Sequence, residues 1–469
     1  MKTKSCAILI PALTALLPVV LLLGILSCKT GPVPDAKHGN LSGTSAVLQK
    51  IAERLGQGDY DGALALFDRI DPADAEKSGI RLLKASTLLS AGKTRDARTL
   101  TEAVLAGETG NIQAMLVMAS VEEASGREKE QKVLLDRVLK VEPANTAALV
   151  SMGNIASRNS SFWTAASFYD KALAAEPGNG EALLGRAWVY RNSREPKKAE
   201  EALNQAVNLH PRWAAALQER GRFYRAQGFP QRALEDLDRA KALEPDNYWI
   251  ACDRGGALVD LNRKPEALTE FERAVRLNPG HFLAYVYSAG IKDELGDYDG
   301  AVKAYESLAR LNPDYYFAFE GLGVHSMRRG NWLAARDAFM EAYKRARDDE
   351  GSYGLLAAMN WMRAGKPQDP RQFLEDVMRK VKRDSLEYWM IRLYHDLVGD
   401  ADMVIKLDKE KDSVLKARML YYLASYYDIR GNKNLADRYF LQVREMNIKN
   451  FPEWRLNEWA LEARGLARN

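Results

Sequence analysis

The sequence predicts an all-α solenoid built from antiparallel helix pairs stacked one after another. Three observations carry this. A 34-residue period runs through most of the chain, over its centre without insertion or deletion. Within each period, small residues recur at two fixed positions and a large apolar residue at a third. The composition, 46% apolar and 28% charged in 469 residues, suits a folded chain, and a chain of this length is better served by an array than by one core.

The helix pairs come from the period. Blocks begin at Thr146, Gly180, Ala214, Tyr248, Phe282 and Tyr316. Their eighth positions are Gly153, Ala187, Gly221, Gly255, Ala289 and Gly323, and their twentieth are Ala165, Ala199, Ala233, Ala267, Ala301 and Ala335. Small residues there let two helices approach closely. The twenty-fourth position is large: Tyr169, Leu203, Leu237, Phe271, Tyr305 and Phe339. It fills the space between neighbouring pairs. Glycines near position fifteen, such as Gly228, Gly296 and Gly330, turn the chain because glycine accepts a left-handed backbone. Proline at position thirty-two (Pro177, Pro211, Pro245, Pro279, Pro313) stops the second helix. One pair cannot bury its apolar face alone, so the pairs must stack.

This pattern resembles the tetratricopeptide repeat. The resemblance implies a right-handed superhelix whose first helices line a concave face, with protein or peptide partners bound there. The same register extends back through blocks at Ile112, Ser78 and Thr44, with Gly126, Gly92 and Gly58 at the turns. The expected organisation is therefore nine in-phase repeats over 44–349 and degenerate helical repeats over 350–416. A clean repeat over 417–450 and a capping helix over 451–469 complete it.

The amino terminus reads as an address. Lys2 and Lys4 precede an uncharged apolar run at 7–26, then Ser27 and Cys28. A basic stretch, an apolar stretch and a small residue describe a secretory signal. The run is also about long enough to span a bilayer, roughly 20 residues, so a retained anchor is the rival. Ile25-Leu26-Ser27-Cys28 resembles the lipobox of bacterial lipoproteins. That resemblance implies a signal peptide at 1–27, removed before a Cys28 that carries the acyl chains. Residues 28–43 then form a flexible tether rich in Gly, Pro and Ser.

No chemistry-bearing constellation emerges. Without Lys2 and Lys4 the chain carries 65 basic and 63 acidic side chains, so nucleic acid is not the expected partner. The cysteines Cys6, Cys28 and Cys252 form no CxxC pair. His38, His210, His281, His325 and His395 share no HxxxH spacing, so no metal or other cofactor is expected. There is no phosphate loop, no nucleophile elbow and no repeat-free block large enough for a catalytic domain.

A binding role remains. In the tetratricopeptide family, positions two, five, nine and twelve face the concave groove. Here they place Trp188 and Arg191, then Arg222 and Arg225, then Trp249 and Cys252, then Asp293, then Phe317 and Glu320. Aromatics and arginines dominate interface energetics. The expected groove residues are therefore Trp188, Arg191, Arg222, Arg225, Trp249 and Phe317, seating an extended segment with an acidic or carboxylate end. Residues 417–466, with Asn450-Phe451, Glu453 and Arg455, resemble the end of NlpI-type lipoproteins. That family acts as adaptors for periplasmic proteases and peptidoglycan hydrolases. The resemblance implies a non-enzymatic, lipid-anchored scaffold in the cell envelope, exposed to the periplasm or cell exterior. An outer-membrane protein assembly factor and a peptide or small-ligand carrier paired with a transporter stay open as alternatives.

Overall fold

A computed structural model describes residues 43–346, 351–365, 370–449 and 451–466. Among them, 26 α-helices follow in tandem and there is no strand. Cys28, the signal segment 1–27, the tether up to residue 42 and Asn450 lie outside the described residues. Gly43, expected as the end of the tether, instead opens a helix, Gly43–Gly56, that buries Leu48, Ile51 and Leu55. No helix among the described residues is long and apolar enough to cross a membrane.

The 34-residue period becomes a regular alternation. First helices run from Ser78–Ser90 to Tyr316–Arg328 and second helices from Thr94–Gly107 to Trp332–Arg345. Position fifteen is left-handed in every block from Thr44 to Tyr316. Glycine holds it at Gly58, Gly92, Gly126, Gly228, Gly296 and Gly330, and Ser160, Arg194 and Asn262 hold it elsewhere. In five periods the last residue caps the next first helix, while Lys77, Trp213 and Tyr315 at the same position make no side-chain cap. Asn111, Asn145, Asn179 and His281 accept the backbone N–H three residues on, and Asn247 does the same for Ile250.

The large side chain at position twenty-four is a wedge between two repeats. Tyr169 lies against Gly153 of its own repeat and Gly185 of the next, and Tyr305 lies against Gly321 of the next. Gly153 and Gly323 likewise sit under Tyr169 and Phe339, where a Cβ would stand 2.6 and 2.7 Å from the ring. Both tyrosine wedges thus meet glycine at position six of the following repeat. Where the wedge is Leu203, Leu237 or Phe271, position six is Glu219, Asp253 or Tyr287.

The chain forms two compact units that divide between Pro245 and Asp246. The first repeat of the amino-terminal unit departs from the pattern. Its second helix is broken into Tyr60–Leu64, a 3-10 turn at Phe67–Arg69, and Pro72–Ala75, where Pro72 cannot continue the preceding hydrogen-bond ladder. In the carboxy-terminal unit, residues 350–416 hold two shortened pairs: Ser352–Arg363 with Arg371–Lys380, and Leu386–Asp396 with Asp400–Lys409. Their second helices have 10 residues where the regular ones have 14. A continuous core runs from Val324 to Leu461.

The final helix, Pro452–Ala463, does more than cover the last repeat. It packs on Lys433–Met446 as a cap, and also reaches Ser413–Ile429 and the much earlier Tyr316–Arg328. Glu453, almost fully buried, accepts a 2.6 Å bond from the Tyr422 hydroxyl, and Asn457 donates to the Phe440 carbonyl at 3.1 Å.

Candidate protein-binding faces

In the amino-terminal unit, Gly180–Asn192 carries Trp188 and Arg191, and Ala214–Ala226 carries Arg222 and Arg225. Trp188 is partly buried and meets Phe162 edge-on, with ring centroids 5.6 Å apart. Trp188 and Arg191 line a shallow hollow with Leu184, Leu203, Glu219 and Phe223. Glu219 organises the basic charge. It accepts a 2.6 Å bond from Arg222 and lies 3.8 Å from Arg191. A carboxylate ligand would therefore compete with Glu219, and most easily for Arg191, whose contact is the longer. Arg225 is partly buried one turn further along the same helix. Glu219 stands at position six of its period, outside the groove positions two, five, nine and twelve.

Glu181 also lies at the start of this face. Burial pushes its carboxyl up to about 7, with Glu123 and Glu176 adding to the rise. A carboxylate that titrates near neutrality gives this unit a pH-dependent charge.

In the carboxy-terminal unit, position two is exposed and apolar in three successive repeats. Trp249 is 39%, Leu283 50% and Phe317 45% exposed. They sit at the same place on Tyr248–Asp260, Phe282–Leu295 and Tyr316–Arg328. The helix starts that carry them touch. Trp249 lies edge-on to His281, centroids 5.0 Å apart, and Phe282 lies edge-on to Tyr315, 4.9 Å apart. Phe317 stacks on Tyr316 at 4.1 Å. Leu283 was not among the expected groove residues. An aliphatic side chain carried no interface signal on its own, and only the 34-residue spacing links it to Trp249 and Phe317.

Cys252 is partly exposed beside this strip, with its sulfur 3.5 Å from His281 Nδ1. Burial pulls the His281 imidazole below its usual range, and its Nδ1 accepts the Ala284 N–H at 3.2 Å. His281 is thus a neutral helix cap. Glu320 accepts a hydrogen bond from the Tyr353 hydroxyl.

Asp293 does not line an open groove. It is 9% exposed and is engaged from three elements. The Tyr305 hydroxyl donates to it at 2.7 Å, His325 Nε2 lies 2.6 Å away, and Arg455 of the last helix lies 3.2 Å away. Burial pushes the Asp293 carboxyl up, yet the bonds from His325 and Tyr305, with the Arg455 charge, outweigh it and leave it below the usual range. Trp459 completes the cluster, with its ring 5.7 Å from Tyr298 and 6.1 Å from His325. The last helix covers this acid, and no sequence spacing couples residues 293 and 455. Among the described residues, no group of three or more His, Cys, Asp or Glu side chains is arranged to hold a metal ion.

The fold and these faces define a class: a tandem helix-pair protein that presents aromatic, aliphatic and arginine side chains for recognition. Tetratricopeptide-repeat family models match residues 54–119, 162–219 and 292–350. These three segments carry tetratricopeptide repeats, a repeat class that mediates protein–protein contacts and is generally non-enzymatic. No curated protein matches the sequence. Among solved structures, it is similar to pilF of Pseudomonas aeruginosa at 19% identity over 48% of this chain and 99% of that one, with a TM-score of 0.41. It is similar to YrrB, described as a tetratricopeptide protein with an unusual peptide-binding site, at 21% identity over 39% and 95%, TM-score 0.33. Similarity to the APC/C hetero-tetramer Cut9–Hcn1 is 16% identity over 69% and 64%, TM-score 0.48.

Proposed function

We propose that this chain is a lipid-anchored scaffold that holds other proteins of the cell envelope, with proteases and peptidoglycan hydrolases as candidate clients. The exposed apolar strip of Trp249, Leu283 and Phe317 carries the binding half of this reading, because large apolar side chains repeated on one face mark an interaction surface. The anchor half rests on the lipobox-like Ile25-Leu26-Ser27-Cys28. Two clients on one array meet at a raised effective concentration, which is how a scaffold acts without catalysing a step.

Crosslinking pull-downs from intact cells test the binding half, comparing the wild-type chain with Arg222→Glu and Trp249→Ala. Loss of captured proteins in either variant supports it, and an unchanged set in both removes it. Labelling with a radioactive fatty acid tests the anchor. Incorporation that disappears in Cys28→Ser supports the lipid, and equal label in both chains rules Cys28 out.

A further inference from the structure

The last helix, Pro452–Ala463, has two faces with different partners. Glu453, Leu456, Asn457 and Leu461 lie along one side and are buried. Glu453 and Asn457 bond there to Tyr422 and to the Phe440 carbonyl, and Arg464, just past the helix, holds Asp437 at 2.7 Å. This side fixes the helix to the repeat at 413–446. At about 3.6 residues per turn, Arg455 and Trp459 fall on the opposite side. That side meets Asp293, Tyr298, His325 and Arg328 of much earlier repeats.

The second side sits on the earlier repeats as a ligand sits in a site. Asp293 is the fixed half: it is buried and positioned by the Tyr305 hydroxyl at 2.7 Å and His325 Nε2 at 2.6 Å. Of the three groups on this carboxylate, only Arg455 is permanently charged. Without such a cation the acid is left buried and uncompensated, which is costly. Trp459, one turn after Arg455, lies 5.9 Å from its guanidinium and meets Tyr298 edge-on at 5.7 Å. Arg328 lies 3.9 Å over the Tyr298 ring and 5.7 Å over that of Trp459, so the indole enters a place already lined by a ring and a cation. The contact is also exchangeable. The Arg455 side chain is 40% exposed, and an ion pair that water reaches holds weakly. None of the buried groups on the anchored side takes part in it.

We infer, resting on the binding reading above, that Asp293 and the rings beside it form a docking site for a helix that carries an arginine and, four residues on, an aromatic side chain. The chain's own last helix fills this site until a partner helix with the same pair takes its place. The guanidinium meets Asp293, and the aromatic ring packs against Tyr298 and Arg328.

The test is a fluorescence-anisotropy titration of the full chain with a labelled peptide of residues 451–466. In the chain that carries Arg455→Ala and Trp459→Ala together, the last helix loses its hold on the site and keeps its anchored side. The peptide is expected to bind this variant at least about tenfold more tightly than the wild-type chain. Adding Asp293→Asn to the variant should cost about tenfold, with the melting temperature reporting that it folds. A second peptide with Arg455→Ala and Trp459→Ala, a change that leaves the protein untouched, should not bind. The inference is overturned if the first peptide binds the variant no more tightly than the wild-type chain, if the alanine peptide binds as well, or if Asp293→Asn leaves binding unchanged. A failed titration beside a pull-down that still depends on Trp249 removes this site and leaves the scaffold standing. Failure of both removes both.

Discussion

Gly321→Ala sets two physical effects of opposite sign against each other. Gly321 lies in the interior of Tyr316–Arg328, where replacing glycine by alanine favours the helix by about 1 kcal/mol. Its Cβ would stand 2.6 Å from two ring carbons of Tyr305, the wedge of the preceding repeat. That ring cannot swing aside freely, because its hydroxyl is held by Asp293 at 2.7 Å. Overpacking of this kind costs about 1–3 kcal/mol, and straining a hydrogen bond to a charged carboxylate adds about 1–2 kcal/mol. The net expectation is a loss of about 1–4 kcal/mol despite the better helix former. Gly290→Ala is the control. It is also a helix-interior glycine, but nothing lies within 4 Å of its Cβ. It should gain about 0.5–1 kcal/mol. Urea unfolding followed by circular dichroism measures both. A Tyr305→Leu background should shrink the Gly321→Ala cost, because repeats with a leucine wedge tolerate a large residue at position six. Gly321→Ala as stable as the parent, or a cost unchanged in the Tyr305→Leu background, refutes the wedge.

Three further outcomes follow from the same structure. Arg194 holds a left-handed backbone, φ 61°, at the turn where six other repeats use glycine. Arg194→Gly should raise stability by about 0.5–1 kcal/mol, and Asn262→Gly by less, because asparagine enters that region more readily. Calorimetry on each variant checks the order. The Glu181 carboxyl is raised to about 7 by burial, so its favourable contribution is present below its ordinary value and is lost as pH rises towards 7. Glu181→Gln should flatten the fall in melting temperature as pH rises from 4.5 to about 7, and an unchanged pH profile would count against the buried carboxyl. Arg455→Met and Trp459→Ala should loosen the last helix by about 1 and about 2 kcal/mol respectively. Hydrogen exchange should then quicken over 452–463 and stay unchanged over 180–226. Equal protection throughout would mean that the long-range contact does not hold the helix.

The regular array was legible because its signals are local and repeated. Small residues at positions eight and twenty, wedges at twenty-four and turns at fifteen each act within one or two repeats, and the structure uses them in that way. The asparagine caps were equally written in the sequence, at the last position of four periods, but a polar residue there carries no packing signal. The faces were harder to read. Position two could be assigned to a face, yet the exposure of Leu283 and the ion pair of Glu219 with Arg222 depend on neighbours in three dimensions. Asp293 shows the limit most plainly. Its position in the period marks it as a groove residue, and a helix more than 150 residues later covers it. Past the shortened second helices such as Arg371–Lys380, Ser413–Ile429 touches Ser352–Arg363 and the last helix returns to Tyr316–Arg328. Nothing in the 34-residue pattern encodes that return.

The central claim is that the exposed strip of the carboxy-terminal unit is where partners are held. The most direct measurement places a photo-crosslinking phenylalanine analogue at position 283 in living cells and, as a control, at exposed Ile405 of the second shortened pair. Light should join the residue at 283 to a small, reproducible set of proteins and the residue at 405 to none of them. The same proteins captured from both positions, or none captured from 283, would contradict the account.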